Sequence, residues 1–173
     1  YRFLNAKEAS DLPADGRVLA LFDVYGLAEG TEDEYEAELY QFSVALTKDP
    51  VICTTPEEEQ ALGDDPLQYL DGVISAGYLN LLCAILLRED PADTHTINLE
   101  VVPGASADTL HTVLRHDAGE DKVNDENRDF FSKYPFYASF PLRGLAEEGK
   151  TKVLEIKWFW DDEQHSIYTD LTL

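Results

Sequence analysis

The chain has 173 residues, 44% of them hydrophobic and 11% aromatic, enough for a real core in one large domain or two small ones. Its 35 acidic and 13 basic residues give a formal net charge of −22, a field that repels phosphate and argues against nucleic acid or an anionic membrane surface as partner. The same charge suits solubility, a basic partner or divalent cations.

Taken in order, the chain begins at Tyr1, as expected of a processed product, and residues 9–16 are rich in turn formers. Residues 17–27 carry Val18, Ala20, Phe22 and Val24 on one parity and Leu19, Leu21 and Tyr25 on the other. A strand apolar on both faces is buried on both or curls as in a small barrel. An acidic loop leads to a strand over residues 37–46, with Tyr40, Phe42, Val44 and Leu46 facing inward. Thr55, Pro56 and Glu58 match a helix cap, a first helical position and a capping box. Gly63 then stops the helix, and Asp64-Asp65-Pro66 marks a domain boundary.

Residues 72–103 organise the rest of the chain. Leu79, Leu81, Cys83, Ile85 and Leu87 share one parity, and Ile97, Leu99 and Val101 alternate with Thr96, Asn98 and Glu100. With turn chemistry at residues 88–93, this predicts a β-hairpin with one buried face. A turn cluster at residues 103–108 precedes a strand through Leu110, Thr112 and Leu114. Residues 116–128 form a polar loop, and residues 136–142 resume strand character. Leu154, Ile156, Trp158 and Trp160 share the apolar parity of the next strand, and Ile167, Thr169 and Leu171 close the chain. No stretch approaches the roughly 20 apolar residues of a membrane span. Cys53 and Cys83 are too few for a disulfide framework, and whether they pair is open.

An ordered set of motifs runs through the chain: Leu46-Thr47-Lys48-Asp49, Leu62-Gly63-Asp64-Asp65-Pro66, Gly77-Tyr78-Leu79-Asn80-Leu81, His95-Thr96-Ile97-Asn98-Leu99, Leu114-Arg115-His116-Asp117 and Ser139-Phe140-Pro141-Leu142. In this set the chain resembles the NigD-like proteins, cell-envelope lipoproteins named after a product of a bacteriocin operon. The resemblance covers nearly the whole chain. It implies an OB-like small barrel followed by a β-sandwich, and a lipidated cysteine upstream of Tyr1. Asp117 departs from the amide expected after the Arg-His pair.

The expected fold is therefore all-β: an OB-like β-barrel domain at residues 1–64 and an antiparallel β-sandwich at residues 65–173. Candidate chemistry is sparse. Within the acidic loop, Asp121, Asn124 and Asp125 could supply oxygens to calcium, although the spacing is not that of an EF-hand and a solvated charge run is the plainer reading. No other cofactor is suggested. The four histidines, His95, His111, His116 and His165, are too scattered for a spacing argument and read as polar surface. Trp158 and Trp160 are the ligand or partner candidates if their face is exposed, and core residues otherwise. No Gly-x-Ser-x-Gly elbow, P-loop or His-Glu-x-x-His is present. The expected function is a non-catalytic, lipid-anchored binding protein of the cell envelope. Its partner would be a protein, with a bacteriocin-associated role in immunity or production implied by the resemblance. The alternative is a carbohydrate-binding module or glycan-processing accessory that takes an oligosaccharide.

Overall fold

The computed structural model describes residues 1–5, 11–13, 16–103, 108–145 and 152–171. The turn clusters expected at residues 9–16 and 103–108 lie partly outside the described residues. The chain folds into two compact units, Tyr1–Thr47 and Lys48–Leu173.

The first unit is built on β1 (Arg2–Phe3), β2 (Arg17–Leu27) and β3 (Tyr35–Thr47). β1 runs parallel to β3, and β2 pairs with β3 antiparallel from Arg17↔Ala45 to Leu27↔Tyr35. The Asn5 side chain prolongs the parallel ladder: its Nδ2 donates to Leu39 O at 2.6 Å, and its Oδ1 accepts from Leu39 N at 3.0 Å. Phe22 packs edge-on against Tyr1 and Phe3. Among the described residues these strands do not close into a barrel. Closure needs long pairing along both sides of each strand, whereas β1 contributes a two-residue ladder. Leu19, Leu21 and Val24 remain exposed as a result, although the apolar pattern of β2 suggested burial on both faces.

The second unit is a β-sandwich. One sheet contains β4 (Leu67–Ser75), β5 (Tyr78–Arg88) and β8 (Phe131–Pro141), with β5 in the middle and both pairings antiparallel. The other contains β6 (Thr96–Val102), β7 (Thr109–Asp117), β9 (Val153–Trp160) and β10 (Glu163–Asp170), in the order β10-β9-β7-β6. Inner residues of both sheets, among them Leu79, Leu81 and Phe140 from one and Leu99, Leu114, Leu154 and Ile156 from the other, form one core.

Three expectations change. β5 and β6 have the predicted inward residues but are not a hairpin. They belong to opposite sheets, and residues 89–95 cross between them. The hairpin partner of β5 is β4, joined by the two-residue turn Ala76-Gly77, whose φ values of 52° and 76° have the signs a type I′ turn requires. Nor is the sandwich wholly antiparallel. β8 leaves for the other sheet between β7 and β9, so β9 re-enters parallel to β7.

The third concerns the boundary. Residues 48–66 sit with the sandwich, so the units divide before the turn-rich Asp64-Asp65-Pro66. Lys48 N donates to Ser139 O, and Val51 bridges β6 through Val51 N to Leu99 O and Val101 N to Val51 O, both 2.8 Å. A short helix α1 (Pro56–Gln60) comes next, with Thr55 Oγ1 accepting from Glu58 N and Glu58 Oε2 accepting from Thr54 N. This strap covers the outward side of β6, which explains why Asn98 and Glu100 are buried despite lying on the polar parity.

Candidate functional site

The inward parity of β5 brings Ile85 and Leu87 to one mouth of the sandwich. The β5–β8 register places Tyr134 beside Ile85 and Phe136 beside Cys83, on the same face. Ile97 approaches from β6 in the opposite sheet, and the crossover supplies Pro91, Asp93, Thr94 and His95. Together they line a cleft of about 360 Å³, apolar on three sides and polar along the crossover.

A buried polar cluster stands behind that polar wall. The rings of His95 and His116 stack with centroids 5.1 Å apart, and His95 Nδ1 lies 2.9 Å from His116 Nε2. His116 Nδ1 is 3.0 Å from Pro66 O. A carbonyl only accepts, so the proton sits on His116 Nδ1, and Nε2 of the neutral ring accepts from His95 Nδ1. Burial, the largest influence, pushes the His116 pKa down and favours that neutral ring. His95 Nε2 then faces Asp121 Oδ2 at 3.6 Å.

Asp121 is itself almost wholly buried. Burial alone would raise its pKa. The backbone N–H groups of Asp93 and Ala92, with the charges of Arg88 and His95, outweigh burial and hold the carboxyl below its ordinary range. Arg88 Nε is 3.0 Å from Asp121 Oδ1, but its N–H donates to Asp90 O, so the contact with Asp121 is one of charge. His95 Nε2 and Asp121 Oδ1 have no hydrogen-bond partner among the described residues.

Two glycines with positive φ let the loops close on this cluster. At Gly63 a Cβ would lie 2.5 Å from His116 O, and at Gly119 it would lie 2.1 Å from Asp93 Oδ2. Asp65 N donates to His116 O, and Asp65 Oδ2 accepts from Ala118 N, which ties the segment before β4 to the end of β7.

The outward face of the second sheet carries two further clusters. Arg115 bonds Glu100 at 2.7 Å, Glu59 at 2.5 Å and Asp64, and its guanidinium lies 6.0 Å from the Phe159 ring centroid. The β7–β9–β10 register puts His111, Glu155 and Tyr168 in one row. Both His111 Nδ1 and Tyr168 Oη lie 2.5 Å from Glu155, and Lys157 Nζ is 3.4 Å away. Burial works to raise the Glu155 pKa, but the Tyr168 and His111 hydrogen bonds and the Lys157 contact bring it below its ordinary value.

This sandwich and its strap coincide with a known domain. Residues 50–170 match the family model described as the NigD-like C-terminal beta sandwich domain. The chain belongs to the NigD-like family. Solved structures share the fold at low identity. A protein of unknown function from Bacteroides vulgatus aligns at 20% identity over 94% of this chain and 74% of its own, with a TM-score of 0.72. A NigD-like immunity protein from Bacteroides caccae aligns at 20% identity over 89% of this chain and 71% of its own, with a TM-score of 0.60. A candidate lipoprotein from Bacteroides fragilis aligns at 12% identity over 98% of this chain and 85% of its own, also at 0.60. No curated protein matches the sequence.

In this NigD-like chain the residues singled out from sequence fall in separate places. Trp158 packs against the core, with its ring 5.1 Å from Tyr69 and 5.5 Å from His165. Trp160, on the same parity, lies under Lys133, whose Nζ is 5.1 Å from the ring centroid. The calcium candidates do not converge. Asp121 turns inward to Arg88 and His95, while Asn124 Oδ1 accepts from Glu126 N and Asn127 N, and Asp125 is exposed. Among the described residues no group of three or more His, Cys, Asp or Glu side chains is placed to hold a metal ion. Both thiols are free. No helix among the described residues is long and apolar enough to cross a membrane.

The histidines are the main miss. Read as polar surface, His95 and His116 are instead drawn together and enclosed by loops. Pairing the predicted strands at residues 96–102 and 109–115 as a hairpin would have put both rings at the same end of the sheet.

Proposed function

We propose that this NigD-like protein is a non-catalytic, lipid-anchored binding protein of the cell envelope, and that its partner is a protein. The observation that carries the reading is the contrast between the cleft and the polar clusters. Asp121, Glu155 and Arg115, the side chains best suited to chemistry, are each held by several groups of their own fold. The open cleft, by contrast, is walled mainly by apolar side chains, the arrangement of a recognition surface. The names of the Bacteroides caccae immunity protein and the Bacteroides fragilis candidate lipoprotein favour a protein partner and an envelope address. A bacteriocin-associated role in immunity or production is the form of the proposal that the family name favours. The oligosaccharide reading is weakened because Trp158 is engaged by Tyr69 and His165 rather than presented as a bare platform.

The test is affinity capture from solubilised envelope, followed by reconstitution with the purified captured protein. The expected result is a discrete partner whose binding weakens with salt, because the net charge of −22 contributes attraction. Captured glycan without protein, or a hydrolytic turnover abolished by neutralising one carboxylate, would overturn the proposal.

A further inference from the structure

We infer that the cleft is the anchor pocket for a single apolar side chain presented by a basic segment of the partner. The inference rests on the protein-binding reading above and adds the site and the chemistry of the partner. The cleft holds about 360 Å³, near the lower end for ligand pockets and suited to one large side chain. Ile85, Leu87, Ile97 and Phe136 wall it from both sheets, so an entering Leu or Phe is surrounded by apolar contacts, the setting of an interface hot spot. Tyr134 stands at the rim, 55% exposed, as an aromatic that docking would cover.

The charge around the cleft selects the rest of the segment. Residues 88–93 carry Glu89, Asp90 and Asp93, all exposed, against Arg88 alone, and Arg88 is paired with buried Asp121. Asp93 is the one fully charged side chain on the lining. The rim is therefore negative, as is the chain as a whole. Lys and Arg flanking the anchor are attracted, and acidic flanks are repelled. The wall needs no refolding to receive the anchor. Backbone N–H groups donate to Asp93 and Asp121, and Gly119 closes on Asp93, so the crossover is held in place.

The experiment titrates the folded chain with short synthetic peptides and tracks backbone amide shifts by NMR. One peptide is Lys-rich with a central Leu, a second replaces that Leu with Ala, and a third keeps the Leu between Glu residues. The Lys-rich Leu peptide is expected to bind with shifts centred on residues 85, 87, 97, 134 and 136, and the Ala peptide about tenfold more weakly. The acidic peptide is expected not to bind. Tyr134→Ser, an exposed change, should weaken binding of the Leu peptide and leave the melting temperature close to that of the parent. Leu87→Lys should abolish binding, and its fold is checked by the shifts of the distant β9–β10 hairpin. Binding that ignores the anchor or survives Tyr134→Ser would mean general charge attraction and would overturn the inference. So would equal binding of the acidic peptide, or no binding by any peptide. If the captured partner binds Tyr134→Ser as it binds the parent, the cleft is rejected and the protein-binding reading stands. If envelope capture yields no protein partner, that reading itself fails.

Discussion

His116 gives its Nδ1 proton to the carbonyl of Pro66 at 3.0 Å, and that one bond fixes which nitrogen it offers to His95. The pair thus joins the segment before β4 to the β6–β7 end of the other sheet, and His116 Nε2 accepts from His95 only while His116 is neutral. Burial lowers the His116 pKa, so the unfolded chain binds the proton more readily. This stability is therefore present above the ordinary histidine value of about 6.5 and is lost as pH falls below it. The carboxylates with lowered values, Asp121, Glu155 and the helix-cap Glu58, lose their contribution at more acid pH. Melting temperature should fall between pH 7.5 and 5.5. His116→Gln should be less stable at pH 7.5 and show a shallower fall. An equal slope in both proteins would contradict this.

Arg115 is a buried cation held by Glu100, Glu59 and Asp64. Glu100 is nearly enclosed, whereas Glu59 and Asp64 are about half exposed and screened. Arg115→Leu leaves Glu100 as an uncompensated buried charge, with an expected loss of about 3–5 kcal/mol in denaturant unfolding. Arg115→Leu combined with Glu100→Leu should recover most of it, because the stranded charge is then gone.

Cys83 lies in the core with its thiol pushed up to about 12 by burial. Cys53 is more accessible, and its thiol is raised more modestly, by burial and then by Glu100. An alkylating reagent at pH 8 should modify Cys53 slowly and leave Cys83 untouched until the protein unfolds. Mass spectrometry of the adducts, with and without denaturant, checks this.

The inward turn of Asp121 bears on calcium. Its carboxylate already meets Arg88, His95 and a backbone N–H, so a cation there would compete with the positive charge of Arg88. A chelator should leave the melting temperature unchanged. A fall of several degrees, restored by calcium, would reinstate the cation reading.

Much of the sandwich can be read from alternation. The inward residues of β5, β6 and β9 are those that period two selects, because their core faces are continuously apolar. Partnering is less legible. β5 and β6 look like a hairpin since both are amphipathic and a Pro-Asp turn lies between them, but alternation reports a buried face and not which sheet presents it. β4 is obscured by Asp71-Gly72 and by the register shift between Tyr69 and Asp71. Asn98 and Glu100 read as solvent-facing because the strap that buries them comes from distant residues. The His95–His116 pair escapes a linear reading for the same reason: strand register and two close-approach glycines create it.

The order of strands along the chain also governs how the sandwich is assembled. β4 and β5 go to one sheet, β6 and β7 to the other, β8 returns to the first, and β9 and β10 return to the second. Neither layer is a continuous stretch of polypeptide, so neither can be completed without its counterpart. The β5–β8 and β7–β9 pairings that complete the two layers must wait for strands far away in sequence, which slows folding relative to a fold of local hairpins alone. The same interleaving prevents one layer from melting while the other persists, so slow hydrogen exchange in β5 and β7 should report a single opening free energy.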